Sequence, residues 1–292
     1  MPEKYYTNSD GRSAASKFGQ MIGEAFERVI FALIQFHLDR QYPDYEFLAP
    51  EQGSALVTLD MLGGLARQLD TVITAKDSTD PVALLETKWL KDARHHNDKG
   101  AWMLQLREIR KKYATVRGAA AILAGYWTEG VGVMLMGEGG VKMVLVATDE
   151  EIYSTLQKPL NQYPGGEAMV LEAAQMRERY PVPWTLANFM IDLHEHGQLD
   201  VIAKTWLNFG RVRPTPDQLL TGGDLVKIAI DDLLAPLPQN PGIQALEIAL
   251  QINTGHTIYQ EFTDAEAAVD FIQTYFRNPQ AILDRILPRK KS

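Results

Sequence analysis

The chain of 292 residues contains no cysteine, which excludes disulfides, thiolate zinc sites and thiol nucleophiles and makes a reducing cytoplasm its natural setting. Only six histidines are available as softer metal ligands. Long apolar runs are missing too: "VIFALI" and "AAAILAGYW" fall far short of the roughly 20 residues that a membrane helix needs. The opening "MPEKYYTNSDGRSAASKFGQ" lacks the apolar stretch of a secretory signal, so a soluble globular chain with no membrane partner is expected. There is no G-x-x-x-x-G-K-[ST], no G-x-G-x-x-G opening a helix and no G-x-S-x-G, so nucleotide-hydrolysing, dinucleotide and esterase chemistries have no motif.

Positive charge is scarce overall, with a net charge of −8, but it is concentrated. Between Glu86 and Arg117 nine Lys or Arg face four acids, a local excess of +5 that leaves −13 on the rest of the chain. A basic face on an acidic body suits a directed polyanion site better than binding over the whole surface.

Hydrophobic periodicity organises the first half. Phe18, Ile22, Ala25, Val29, Leu33 and Phe36 recur at three- and four-residue steps, predicting a helix over 16–38. "SALVTLDM", "LARQLDTVIT" and "VALLETKWL" read as three strands separated by "LGG" and "KDSTDP". Asn97 or Asp98 then caps a helix whose apolar stripe is Trp102, Leu106, Ile109, Tyr113 and Val116; its aromatic residues, like Trp127, are expected in the core. "AAAILAGYW" is a buried strand, and "VGVMLMGEGGVKMVLVAT" reads as a hairpin turning at 137–140. The expected fold class is α/β, more closely α+β: a mixed central sheet flanked by helices over residues 1–160. A mainly helical half follows over 161–292, carrying a hairpin at 246–262 and a capping box at Thr263 and Glu266.

The third strand ends in "ETKWLKDARHHNDKG", where Glu86 and Lys88 project to one face. With the preceding turn centred near Ser78, antiparallel partners have numbers summing to about 156, so position 70 lies opposite Glu86, and position 70 is Asp. Two opposed carboxylates within about 5 Å repel unless a cation joins them, and a hard divalent ion with oxygen ligands resolves the conflict. Lys88 can serve an attacking water or the charge growing on a phosphate oxygen. Lys91, Arg94, His95, His96 and Lys99 would then meet a sugar-phosphate backbone, and "FGRVRPTP" offers Arg211 and Arg213 as further contacts. His194 and His196 are too poorly aligned on a helix to share a ligand and read as residues favouring its C-terminal dipole.

Helix one, the meander, Leu69–Asp70, Glu86–Lys88 and the helix leading into "AAAILAGYW" together resemble the PD-(D/E)xK nuclease superfamily, although Leu69 stands where the family name places a proline. The resemblance covers roughly residues 16–127. It implies a restriction-endonuclease-like fold with Asp70 and Glu86 holding Mg²⁺, for which Mn²⁺ would substitute, and Lys88 assisting the water. It also implies a glutamate in helix one, for which "GEAFERVI" makes Glu27 the first candidate and Glu24 the second. The expectation is a Mg²⁺-dependent endonuclease of the restriction type acting on duplex DNA, for which a two-fold homodimer suits the cutting of both strands. The alternative is a nuclease-fold subunit that binds DNA or assembles without cutting.

Overall fold

The computed structural model describes residues 13–48, 57–61, 64–91, 96–127, 140–161, 182–215, 218–240 and 242–286. Helix α1 (Ala14–Gln41) starts where Ser13 accepts a hydrogen bond from the Ser16 amide and buries Phe18, Ile22, Phe26, Ile30 and Ile34 along one stripe. Strands β1 (Tyr45–Leu48), β4 (Thr71–Ala75), β5 (Pro81–Leu90), β6 (Gly118–Gly125) and β7 (Val141–Thr148) form one mixed sheet in that order. The pairs β1/β4 and β4/β5 are antiparallel; β5/β6 and β6/β7 are parallel. Helices α2 (His96–Leu104) and α3 (Leu106–Lys112) lie between β5 and β6 in the chain and allow that parallel return.

The alternation of β5 divides the core. Ala83 and Leu85 face the layer built on α1, while Leu84 faces Met103, Leu106 and Ile109 of α2 and α3. The α1 layer is completed by α4 (Asp149–Asn161), α5 (Trp184–Glu195), α6 (Gln198–Trp206) and α7 (Gly222–Leu234), whose buried residues include Leu156, Leu186, Trp206 and Ile230. The expected mixed sheet with helices packed on it is therefore present.

Several boundaries differ from the sequence expectation, each for a local reason. The single strand expected over 65–74 breaks at Asp70: β3 (Ala66–Leu69) pairs with β2 (Val57–Asp60) in a separate two-stranded sheet, while β4 continues into the main one. Burial changes phase at that point, from alternation in β3 to continuous burial in β4. β1 was not expected, its four residues being too few to reveal a period. Of the hairpin expected over 131–148, the first arm lies outside the described residues, and the second arm, β7, pairs in parallel with β6. "GEAMVLEAAQMRERY" also lies outside them.

Compact units divide at Ala235/Pro236 rather than near residue 160, because α5, α6 and α7 bury their apolar stripes in the α1 layer. The second unit, Pro236–Ser292, holds the hairpin foreseen at 246–262, β8 (Leu246–Gln251) and β9 (Thr257–Phe262), followed by α8 (Ala265–Arg277) and α9 (Pro279–Ile286). The cap of α8 is Asp264, whose carboxylate accepts from the Glu266 and Ala267 amides, one residue beyond the expected Thr263. Phe271 packs between Phe262 and Tyr275 at ring separations of 5.0 and 4.8 Å.

Candidate functional site

Asp70 occupies the break between β3 and β4, and the ladder reaching it runs in the expected register: Thr71 pairs with Leu85 and Val72 with Leu84. One step further places Asp70 beside Glu86. A bulge between Ile73 and Thr74 shifts the pairing, but at the far end from the site. Glu86 and Lys88 share a face of β5, with Lys88 Nζ 2.6 Å from Asp70 Oδ2 and 3.5 Å from Glu86 Oε2. Asp70 Oδ2 also accepts the Thr87 amide at 3.1 Å. In the parallel neighbour β6, Ala121 stands opposite Glu86, and where β6 ends beside Leu90 the chain turns through Gly125, φ +88°; a Cβ there would meet the Leu90 carbonyl oxygen at 2.0 Å.

Arg67 is the member that sequence reasoning missed. Its side chain is 1% exposed, and it donates through Nη2 to Glu86 Oε1 and through Nη1 to the Trp102 carbonyl at 2.7 Å. The signal was present: alternation in β3 puts Arg67 on the same buried face as Leu69, an unusual place for a charge without a partner. Arg67 holds one oxygen of Glu86; the other, Oε2, is buried, makes no hydrogen bond, and has the Lys88 ammonium as its ion-pair partner.

The protonation pattern follows from this crowding. Burial pushes Glu86 up to about 7, reinforced by the neighbouring Asp70 carboxylate. Burial also opposes ionisation of Asp70, but its carboxyl neighbour Glu86, the Lys88 charge and hydrogen bond, and the Thr87 amide more than offset it and hold Asp70 below the ordinary range. Lys88 is desolvated as well, yet Glu86 and Asp70 raise it, so it stays charged. Below about pH 7 Glu86 thus keeps its proton while Asp70 is ionised. Glu27 on α1 belongs to the same field: burial raises it to about 7, with the Asp70 charge adding to the shift and Lys88 opposing it.

These shifts fix a sign. Glu27 and Glu86 have folded-state values above those of the unfolded chain, so the folded protein retains protons that the unfolded chain releases between about 4.5 and 7. Stability from these groups is full below that window and is lost as pH rises through it, the reverse of an ordinary salt-bridged carboxylate. In EDTA, thermal melts are expected to fall by several degrees from pH 5.5 to pH 8, and Glu86→Gln should flatten the slope. An equal or rising melting temperature would show that the carboxyls are not crowded.

Glu24, the second helix-one candidate, belongs to a different cluster. It accepts from Gln20 Nε2 at 2.6 Å and lies 3.1 Å from His194 Nε2, while Arg28 Nη2 donates to His194 Nδ1 at 2.6 Å and pairs with Asp200 at 2.5 Å. These residues line a pocket of about 630 Å³ between α1, α5 and α6. Burial and the Arg28 charge lower the His194 pKa, so His194 does not serve as the positive helix-end group expected of it. His196 follows the last turn of α5, its backbone amide donating to the Asp192 carbonyl at 3.1 Å.

The basic residues divide as well. Lys91, just past β5, is half-buried and Lys99 is exposed on α2. Arg94 and His95, and the side chains of His96 and Arg213, lie outside the described residues. Arg211 is an internal brace rather than a free cation: it donates to the Val146 carbonyl at 2.9 Å and forks onto both carboxylate oxygens of Glu151. Arg117 likewise caps α7 through the Leu234 and Ala235 carbonyls. Trp102, expected in the core, is 48% exposed, because α2 ends at Leu104 and the apolar stripe continues only in α3.

Among the described residues no group of three or more His, Asp or Glu is placed to enclose a metal ion. The donor set nevertheless fits Mg²⁺, which uses one or two carboxylates and completes its shell with water and phosphate oxygens; the unbonded Oε2 of Glu86 supplies a hard, buried donor. No helix among the described residues is long and apolar enough to cross a membrane. No family model, no curated protein and no solved structure matches the chain.

Proposed function

We propose that the chain is a Mg²⁺-dependent DNA endonuclease with a restriction-endonuclease-like core, acting as a homodimer of the restriction type. The observation that carries this reading is the convergence of Asp70, at the break before β4, with Glu86 and Lys88 on one face of β5, with one buried carboxylate oxygen lacking a hydrogen bond. The order of α1, the antiparallel β4/β5 pair, α2–α3 and the parallel strand β6 supports it.

Asp70 and Glu86 would hold the ion, which when bound supplies Lewis-acid polarisation of a phosphoryl oxygen and a more acidic water. The protein's own groups do the rest. Arg67 keeps the Glu86 carboxylate from rotating. Lys88 directs its ammonium protons at the attacking water or a non-bridging phosphate oxygen, and Glu27 can hold or release a proton near neutral pH. Hydrolysis forms one phosphorus–oxygen bond from water, breaks one to the leaving sugar oxygen, and requires a proton to reach that oxygen.

A second reading is favoured by one feature: Arg67 on Glu86 and Lys88 on Asp70 compensate both carboxylates without any ion. The fold could then serve DNA binding or assembly with its chemistry unused. Incubation with plasmid DNA separates the two. Cleavage in Mg²⁺ that vanishes in EDTA is expected; binding without cutting in both Mg²⁺ and Mn²⁺ would replace the enzyme with the subunit.

A further inference from the structure

We propose that the exposed indole of Trp102 is a stacking subsite for an unpaired nucleobase next to the reacting phosphate; this rests on the nuclease reading above. Of the chain's five tryptophans, Trp206 is fully buried and Trp102 alone stands among the exposed large apolar residues. Its placement is not that of a loose surface side chain. The Arg67 guanidinium lies over the ring, 5.1 Å from its centre, and the same guanidinium holds the Trp102 carbonyl and Glu86 Oε1. Arg67 takes one face of the ring, so a stacking base would take the opposite face of this half-exposed residue.

Three consequences follow from that arrangement. The indole is pre-ordered, because a buried cation fixes both its backbone and its ring, so little freedom remains to be lost on binding. It is close to the chemistry: a stacked strand advances about 3.4 Å per nucleotide, so a ring 5.1 Å from the guanidinium on Glu86 lies within roughly two nucleotides of a phosphate held there. It also has a cation beside it, since exposed Lys99 is one helical turn earlier on the same side of α2. An aromatic platform with a neighbouring ammonium is the arrangement that holds a base by its π-face and its phosphate by charge. A duplex hides its base faces, so the subsite selects a base at a strand end, in a gap, in a single strand, or turned out of the helix.

The test uses a short single-stranded deoxyoligonucleotide and an abasic strand of the same length, with the full chain in EDTA. Wild type is expected to bind the intact strand more tightly than the abasic one, with quenching of indole fluorescence. Trp102→Leu should weaken the intact strand about tenfold and leave the abasic strand within about twofold, while Trp102→Phe recovers most of the loss. A merely structural role for the ring would move both probes together, and that result overturns the proposal. So does equal binding of both strands by wild type and Trp102→Leu. If Mg²⁺-dependent cleavage is intact in those cases, only the stacking subsite fails; if wild type neither binds these strands nor cleaves DNA, the nuclease reading fails with it.

Discussion

Glu86→Ala is expected to abolish Mg²⁺-dependent cleavage and also to lower the unfolding free energy by about 3–5 kcal/mol, because it strands a buried guanidinium. From the sequence alone the opposite stability effect is expected, since removing one of two crowded carboxylates relieves repulsion. Arg67 reverses the sign: its side chain is 1% exposed, its Nε already lacks a partner, and without Glu86 its Nη2 has none in that pair either. Asp70→Ala should be equally inactive but much less destabilising, because its partner Lys88 is 26% exposed and can be rehydrated. Replacing both members of the buried pair, Arg67→Met with Glu86→Leu, should recover most of the stability and none of the activity. Urea unfolding midpoints and single-turnover cleavage of the three variants test this. Wild-type stability in Glu86→Ala would deny the buried pair, and near wild-type cleavage in either carboxylate variant would remove the site.

Lys88→Ala carries the second large effect. A group that serves the attacking water or the transition state contributes about 10²–10⁴ in rate, so the variant should lose at least about 100-fold in single-turnover cleavage while keeping metal and DNA affinity. Its metal-free stability should fall as well, since Lys88 lies 2.6 Å from one carboxylate and 3.5 Å from the other. Added Mg²⁺ separates the roles. It should restore the melting temperature, by replacing the lost positive charge, and leave cleavage slow. Recovery of both would make Lys88 a counter-charge only, and the chemistry would then rest on Asp70, Glu86 and Glu27.

Much of this site was legible because strands obey simple arithmetic. The placement of Asp70 one step beyond the Thr71–Leu85 pair, beside Glu86, needed only a turn position and the antiparallel sum rule, and Lys88 needed only the two-residue period. Glu27 was a matter of resemblance; in the folded chain burial and the charges of Asp70 and Lys88 set its protonation. The hairpin at 246–262 showed itself through alternation on both sides of a turn containing Gly255, φ +85°. What failed was anything requiring knowledge of a distant neighbour. Trp102 fits a helical stripe yet emerges half-exposed, because the helix is interrupted at Gln105. Arg211 looks like a ready cation in a loop, and only the folded chain brings Glu151, sixty residues earlier, to occupy it.

The sequence by itself determined the local facts: a cysteine-free chain, an apolar first helix, a β4/β5 register that sets Asp70 beside Glu86, and a lysine on the same face. Those depend on periods of two and 3.6 residues, which neighbouring side chains impose without help from the rest of the molecule. Tertiary structure decided which charges are spent and which remain. It placed Arg67 on Glu86, Arg117 on the end of α7, Arg28 between His194 and Asp200, and the C-terminal unit's boundary at Ala235. Ion pairing and burial join residues through space at separations the chain does not encode locally, so charge in a sequence is only a supply, and packing assigns its use.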